Sequence, residues 1–208
     1  MPPLLTFTGR EEYLSRFRGM TLETEPSLLM RLEHRIAKYK TQIANDWFAI
    51  LAGTYPPDTT RFLKTNKDMF SNPVGATSRQ TLEKVLEALL ADADPESLSH
   101  HMEALIRIRA VQTMFTPSQA TAFILDLKKV VRHALKSDLQ DLDILMQLLR
   151  FEERIDRLLL ITFDIFMRCR EKIYSMKATE EQSKIYRAFA RAGLVRENPD
   201  MTPDSGVS

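Results

Sequence analysis

The chain is short of several things, and each shortage excludes something. One cysteine, Cys169, in 208 residues leaves no intramolecular disulfide and no second thiol for a metal, a usage that fits a reducing compartment. The expected location is the cytoplasm. Charge of one sign is missing as well: 29 basic side chains against 28 acidic ones give a formal +1, without the basic excess or clustered stripe of a nucleic-acid binder. No nucleic-acid partner is expected. The apolar run Leu158 to Phe163 is broken by Asp164, well short of the ~18 residues of a membrane span. The opening MPPLLTFTGREEY has no basic region leading into an apolar one, so neither export nor membrane insertion is expected.

Catalytic motifs are also missing. The sequence holds no Gly-rich phosphate loop, H-E-x-x-H, cysteine pair or G-x-S-x-G elbow. Its nearest approach to a paired-carboxylate site is Glu152, Glu153 and Asp156 among Arg150, Arg154 and Arg157. That spacing suits a ladder of salt bridges better than acid–base catalysis. His100 and His101 are adjacent, so on a helix they point about 100° apart and are poorly placed to share one ion. The expectation is no enzyme, no catalytic residues, no metal and no cofactor.

What the chain has is helix. With 44% hydrophobic and 27% charged residues it can bury a proper core, and its length suits one domain with extensions. The organising stretch is Leu142 to about Met176, free of Gly and Pro and about 50 Å long at 1.5 Å per residue. Its middle third, Leu158 to Cys169, is apolar on nearly every face apart from Asp164 and Arg168, the pattern of a helix surrounded by others. A first long helix is expected from Thr24 or Glu25 to Gly53, its core face carrying Leu28, Leu29, Leu32, Ile36, Ile43, Trp47, Ile50 and Leu51 at helical spacing. Asn72-Pro73 and Asp94-Pro95 each place a capping residue before a proline at the first helical position, and Thr116-Pro117-Ser118-Gln119 is a capping box. The last of these should open a helix reaching about Leu135, with Lys128, Lys129 and Arg132 facing water. The irregular segment 54–78 should be held down by Phe62 and Phe70. A further short helix, Thr179 to Ala192, follows the long one. The fold class is therefore all-α, a bundle of five or six main helices around one long core helix. The expected divisions are 1–24, an arm whose helical candidate Glu11 to Arg18 carries Tyr13 and Phe17; 25–178, the helical domain; and 179–208, the short helix and a disordered tail.

The segments TYPPDTTRFLK and DMFSNPVG, then IRIRAVQ (Ile106 to Gln112), TPSQA (Thr116 to Ala120) and FDIFMRCREKIY (Phe163 to Tyr174), occur in the order of a known family. The chain resembles the RsbRD-type amino-terminal domain, found at the front of RsbT co-antagonist proteins, over roughly residues 28–177. The resemblance implies a sensory input module of stress or redox signalling, acting through contact with a protein partner that supplies the output. In the family a carboxy-terminal STAS domain carries phosphorylated threonines; the 34 residues after Tyr174 are too few for it, so that chemistry is carried onto no residue here. Two alternatives stay open. A homodimer would cover the apolar ends Leu142 to Leu149 and Ile173 to Tyr174. A small-molecule or cofactor carrier, haem included, would need a large apolar pocket beside a histidine, with His133 expected nearest the core edge.

The sharpest residue-level expectation concerns charges set in apolar runs. Arg107 and Arg109 in IRIRAVQ, and Asp156, Asp164 and Arg168 in the long helix, are candidates for structural ion pairs, because a guanidinium carried into a core must meet a carboxylate. At least one of the two arginines is expected to pair with Asp156 or Asp164 between helices, with Asp164 and Arg168 four apart and able to pair locally.

Overall fold

Proline marks where most of these helices begin. The computed structural model describes residues 26–65, 68 and 70–194, in the order α1 (Pro26–Lys38), α2 (Lys40–Gly53), α3 (Pro57–Thr65), α4 (Pro73–Leu90), α5 (Pro95–Val111), α6 (Pro117–Thr121), α7 (Phe123–Ala134) and α8 (Leu142–Arg191). Five of the eight open on Pro, whose missing N–H costs nothing in a first turn. The caps are built as the sequence implies. Asn72 Oδ1 accepts from Gly75 N at 2.9 Å, Asp94 Oδ1 accepts from Ser97 N at 2.9 Å, and Thr116 and Gln119 satisfy each other's backbone N–H in a complete capping box. No strand occurs among the described residues. The fold is all-α, and six of its helices have twelve or more residues. The expected arm, 1–24, and residues 195–208 of the expected tail lie outside the described residues.

Boundaries differ from expectation in three places, each for a local reason. The first long helix is two, bent at Tyr39, whose N–H turns back to the Ile36 carbonyl at 2.9 Å in a tighter i−3 bond. The helix opened by the capping box is also two. Its break at Ala122 lies where other elements take its carbonyls: Arg109 claims those of Gln119 and Ala120, and the Trp47 indole donates to that of Phe123 at 2.7 Å. In contrast, the long helix and the expected Thr179–Ala192 helix are one element of 50 residues. Nothing around Lys177 stops it, and the Thr179 hydroxyl donates back to the Ser175 carbonyl at 3.0 Å instead of capping a new start.

One apolar cluster joins all eight helices, taking from α8 little more than its first half, with Trp47, Phe123, Phe151 and Phe166 fully buried. Side chains of this size contribute about 1.5–3 kcal/mol each on burial. α8 packs most extensively against α5. It is not surrounded, however. Leu160 is 65% exposed and Phe163 is also exposed, so the middle of α8 lies along one side of the bundle. The segment before α4 is likewise held by other means than expected: Phe62 is exposed and Phe70 is 95% exposed. The anchors are Leu63, buried, and Arg79, whose Nη2 donates to the Leu63 and Lys64 carbonyls while its guanidinium stacks 3.7 Å over the Phe48 ring.

Candidate contact surface

Two arginines two residues apart meet opposite fates, because residues i and i+2 lie about 200° apart around a helix. Arg107 is exposed and pairs with Glu103 one turn back on α5. Arg109 is completely buried. Its Nε donates to the Ala120 carbonyl at 2.9 Å, Nη2 donates to the Gln119 carbonyl at 3.2 Å, and Nη1 and Nη2 both donate to Thr54 Oγ1 at 3.2 Å. The Phe115 ring lies 4.1 Å from its Cζ, with Tyr55 edge-on to Phe115. Burial pushes the guanidinium pKa below its ordinary value. One cation thus ties α5 to the end of α2 and to the last turn of α6, whose carbonyls lack intrahelical partners. The structure brings neither arginine to Asp156 or Asp164.

The acidic candidates go elsewhere. Asp156 pairs with Lys128 of α7 at 2.6 Å. Asp164 and Arg168 are both exposed on α8 and form no ion pair within 4 Å among the described residues. Glu152, its side chain 8% exposed, takes both ends of the Arg132 fork, which holds the arginine pKa above its ordinary value. Lys128 and Arg132, expected to face water, therefore reach across from α7 to α8. Arg154 spans three elements: it donates to the Leu89 carbonyl and pairs with Asp92 at 3.0 Å and Glu33 at 3.6 Å. The carboxylate-rich run of α8 is a set of interhelical ties, placed to fix helix register. His133 is exposed, contrary to its expected place at the core edge. Among the described residues no group of three His, Cys, Asp or Glu side chains is arranged to hold a metal, and no helix is long and apolar enough to cross a membrane.

Among the described residues, two surfaces stand out as having no element packed over them. One is a groove of about 790 Å³ between α5 and α8. Ile165, Cys169 and Ile173 form its floor, and Glu103, Arg107 and Lys172 stand on its rim. Cys169 is half-buried there. The other is the end of α8. From Tyr174 to Leu194 every residue is exposed, so that about 27 Å of helix projects from the bundle. Tyr174, Ala178, Gln182, Ile185 and Phe189 recur on one side of it at intervals of three and four, while Lys177, Lys184, Arg187 and Arg191 lie on the other. This is an amphipathic helix with its apolar stripe bare.

Residues 41–180 match the family described as the RsbT co-antagonist protein rsbRD N-terminal domain. The chain belongs to that family. No curated protein and no solved structure matched. RsbRD N-terminal domains are signalling modules of the partner-switching stress response, a class not known for catalysis. In this RsbRD N-terminal domain the matched span includes the buried Arg109 cluster, the Glu152–Arg132 tie and the α5–α8 groove, and it ends partway along the projecting part of α8.

Proposed function

We propose that this domain is a non-enzymatic input module that signals by contact, presenting the projecting end of α8 to a protein that carries the output. The observation behind this reading is the bare stripe Tyr174, Ile185 and Phe189, exposed on a helix that nothing in the bundle requires to extend so far. Exposed apolar surface of this kind usually marks an interface, and an amphipathic helix with apolar anchors three and four residues apart is a standard form for helix recognition. A second copy is the other occupant to weigh, because Leu142, Met146 and Leu149 are also exposed at the opposite end of α8. The carrier alternative has less support: the α5–α8 groove is rimmed with charge, unlike the apolar pocket haem requires.

The test joins Ile185→Glu and Phe189→Glu in one variant. Native mass spectrometry and co-purification from the source cell should lose one specific partner, with the thermal midpoint unchanged. A variant that keeps every interaction, or a pure protein that turns over a metabolite, would overturn the proposal. Loss of a dimer alone would assign the stripe to self-association.

A further inference from the structure

We infer that the outward face of α8 from Leu142 to Met167 is an interface with a second copy of this chain, packed antiparallel about a two-fold axis between Arg154 and Ile155. The inference concerns the part of α8 that lies on the bundle and does not rest on what binds its projecting end. Toward the core this part turns Ile144, Leu148, Phe151, Ile155, Leu158 and Phe166, all buried. α1 holds one flank through Gln147 and Arg154, and α7 holds the other through Glu152 and Asp156. On the side away from the core Leu142, Met146, Leu149, Leu160 and Phe163 are exposed and Met167 is half-buried. Their spacing is regular. From Leu142 the seam steps by four and three residues in turn, through Glu153 and Asp156, as far as Met167, the repeat that keeps one helix face against another helix along its length.

The occupant follows from the order of chemistry along the seam, which reads the same from either end: three apolar positions, two acids, three apolar positions. An antiparallel copy sets Leu142 against Met167, Met146 against Phe163 and Leu149 against Leu160, with Glu153 and Asp156 at the axis. Arg157 then stands beside Glu153 of the second copy, and Arg150 comes within reach of its Asp156. The four carboxylates at the axis therefore lie among four guanidinium groups. Arg150, Glu153 and Arg157 form no ion pair within 4 Å among the described residues, so all three are available to the second copy. A parallel pair fits less well. It would set Glu153 and Asp156 against themselves and carry the same seam on into Lys177, Glu181 and Lys184, each opposite its own copy.

Space and size agree. Because the seam lies opposite the buried face of α8, the two bundles fall on the outer sides of the helix pair and do not collide. The overlap from Leu142 to Met167 is about 38 Å long and buries on the order of 1,200 to 1,400 Å² in all, within the lower part of the range for specific interfaces. Both projecting ends leave the pair in opposite directions, free to meet another protein.

Sedimentation of the full chain at about 50 μM, above the Kd of a micromolar complex, should give twice the chain mass. Leu160→Glu, at an exposed position, should weaken the dimer by about tenfold or more and leave the Trp47 emission and the thermal midpoint unchanged. The variant with Ile185→Glu and Phe189→Glu should keep the dimer, which separates this interface from the contact at the projecting end. In a Cys169→Ser chain, Leu149→Cys mixed with Leu160→Cys should cross-link through a short bis-maleimide, while either alone should not, because about 16 Å then separates the like positions. A parent chain that stays monomeric would overturn the inference, as would a dimer that survives Leu160→Glu and is lost in the Ile185→Glu, Phe189→Glu variant. So would cross-linking of Leu160→Cys to itself, the mark of a parallel pair.

Discussion

α8 is one helix living in two environments. From Ile144 to Phe166 it gives Phe151, Ile155, Leu158 and Phe166 to the core and ties Glu152, Arg154 and Asp156 to its neighbours. From Tyr174 to its end at Arg191 every residue of it is exposed. The backbone is the same in both, and so is the spacing of apolar residues. Helical continuity is therefore local, carried by the absence of Gly and Pro and by runs of good helix formers such as Lys177, Ala178, Glu180, Glu181 and Gln182. Burial is a tertiary matter: apolar periodicity says that a face wants a partner, not whether that partner belongs to the same fold.

The largest expected break in this comparison is Phe166→Ala, which empties a fully buried site and should cost about 3–5 kcal/mol in urea unfolding. Arg109→Met comes next. It keeps most of the side-chain volume but strands the Gln119 and Ala120 carbonyls and the Thr54 hydroxyl, for about 2–4 kcal/mol; Arg107→Met, two residues away and exposed, should stay within about 0.5 kcal/mol. Phe189→Ser tests the bare end and should likewise change stability by less than about 0.5 kcal/mol, while amides of residues 174–191 exchange with solvent far sooner than those of 144–166 in hydrogen-exchange mass spectrometry. The smallest effect is at the start of α5. There the Ser97 N–H holds the Asp94 carboxyl below its ordinary pKa of 3.8, so its capping contribution is present in full above that value and is lost as pH falls through the lowered one. Asp94→Asn should remove that step from the acid-unfolding profile and leave the neutral-pH melting curve close to the parent's.

Much of the fold could be read from residues whose effect is local. Asn72, Asp94 and Thr116 cap the helices they precede, and Trp47 is the buried anchor its place on a core face implies. The reading fell short wherever the deciding group lay far along the chain. Arg109 stands out in the sequence as a cation in an apolar run, but the rule that it must meet a carboxylate was too narrow: carbonyls freed at a helix break satisfy it, and nothing in Gln119 or Ala120 announces that break. Arg132 looks solvent-facing because its own helix is amphipathic, while its partner Glu152 comes from the next helix. Phe62 and Phe70 were given an anchoring role on hydrophobicity alone, and Arg79, with an aromatic ring beneath it and two carbonyls in reach, does that work.

The Trp47 contact also gives the molecule an optical handle. This is the only indole in the chain; it is wholly excluded from water, donates to the Phe123 carbonyl and lies 6.2 Å from the Phe123 ring. All tryptophan emission therefore reports on one junction, where α2 meets the start of α7 beside the break that Arg109 holds. A signal that shifts α7 against α2 changes the polarity and quenching around a single fluorophore, so the internal state of the bundle can be followed in solution without attaching a label.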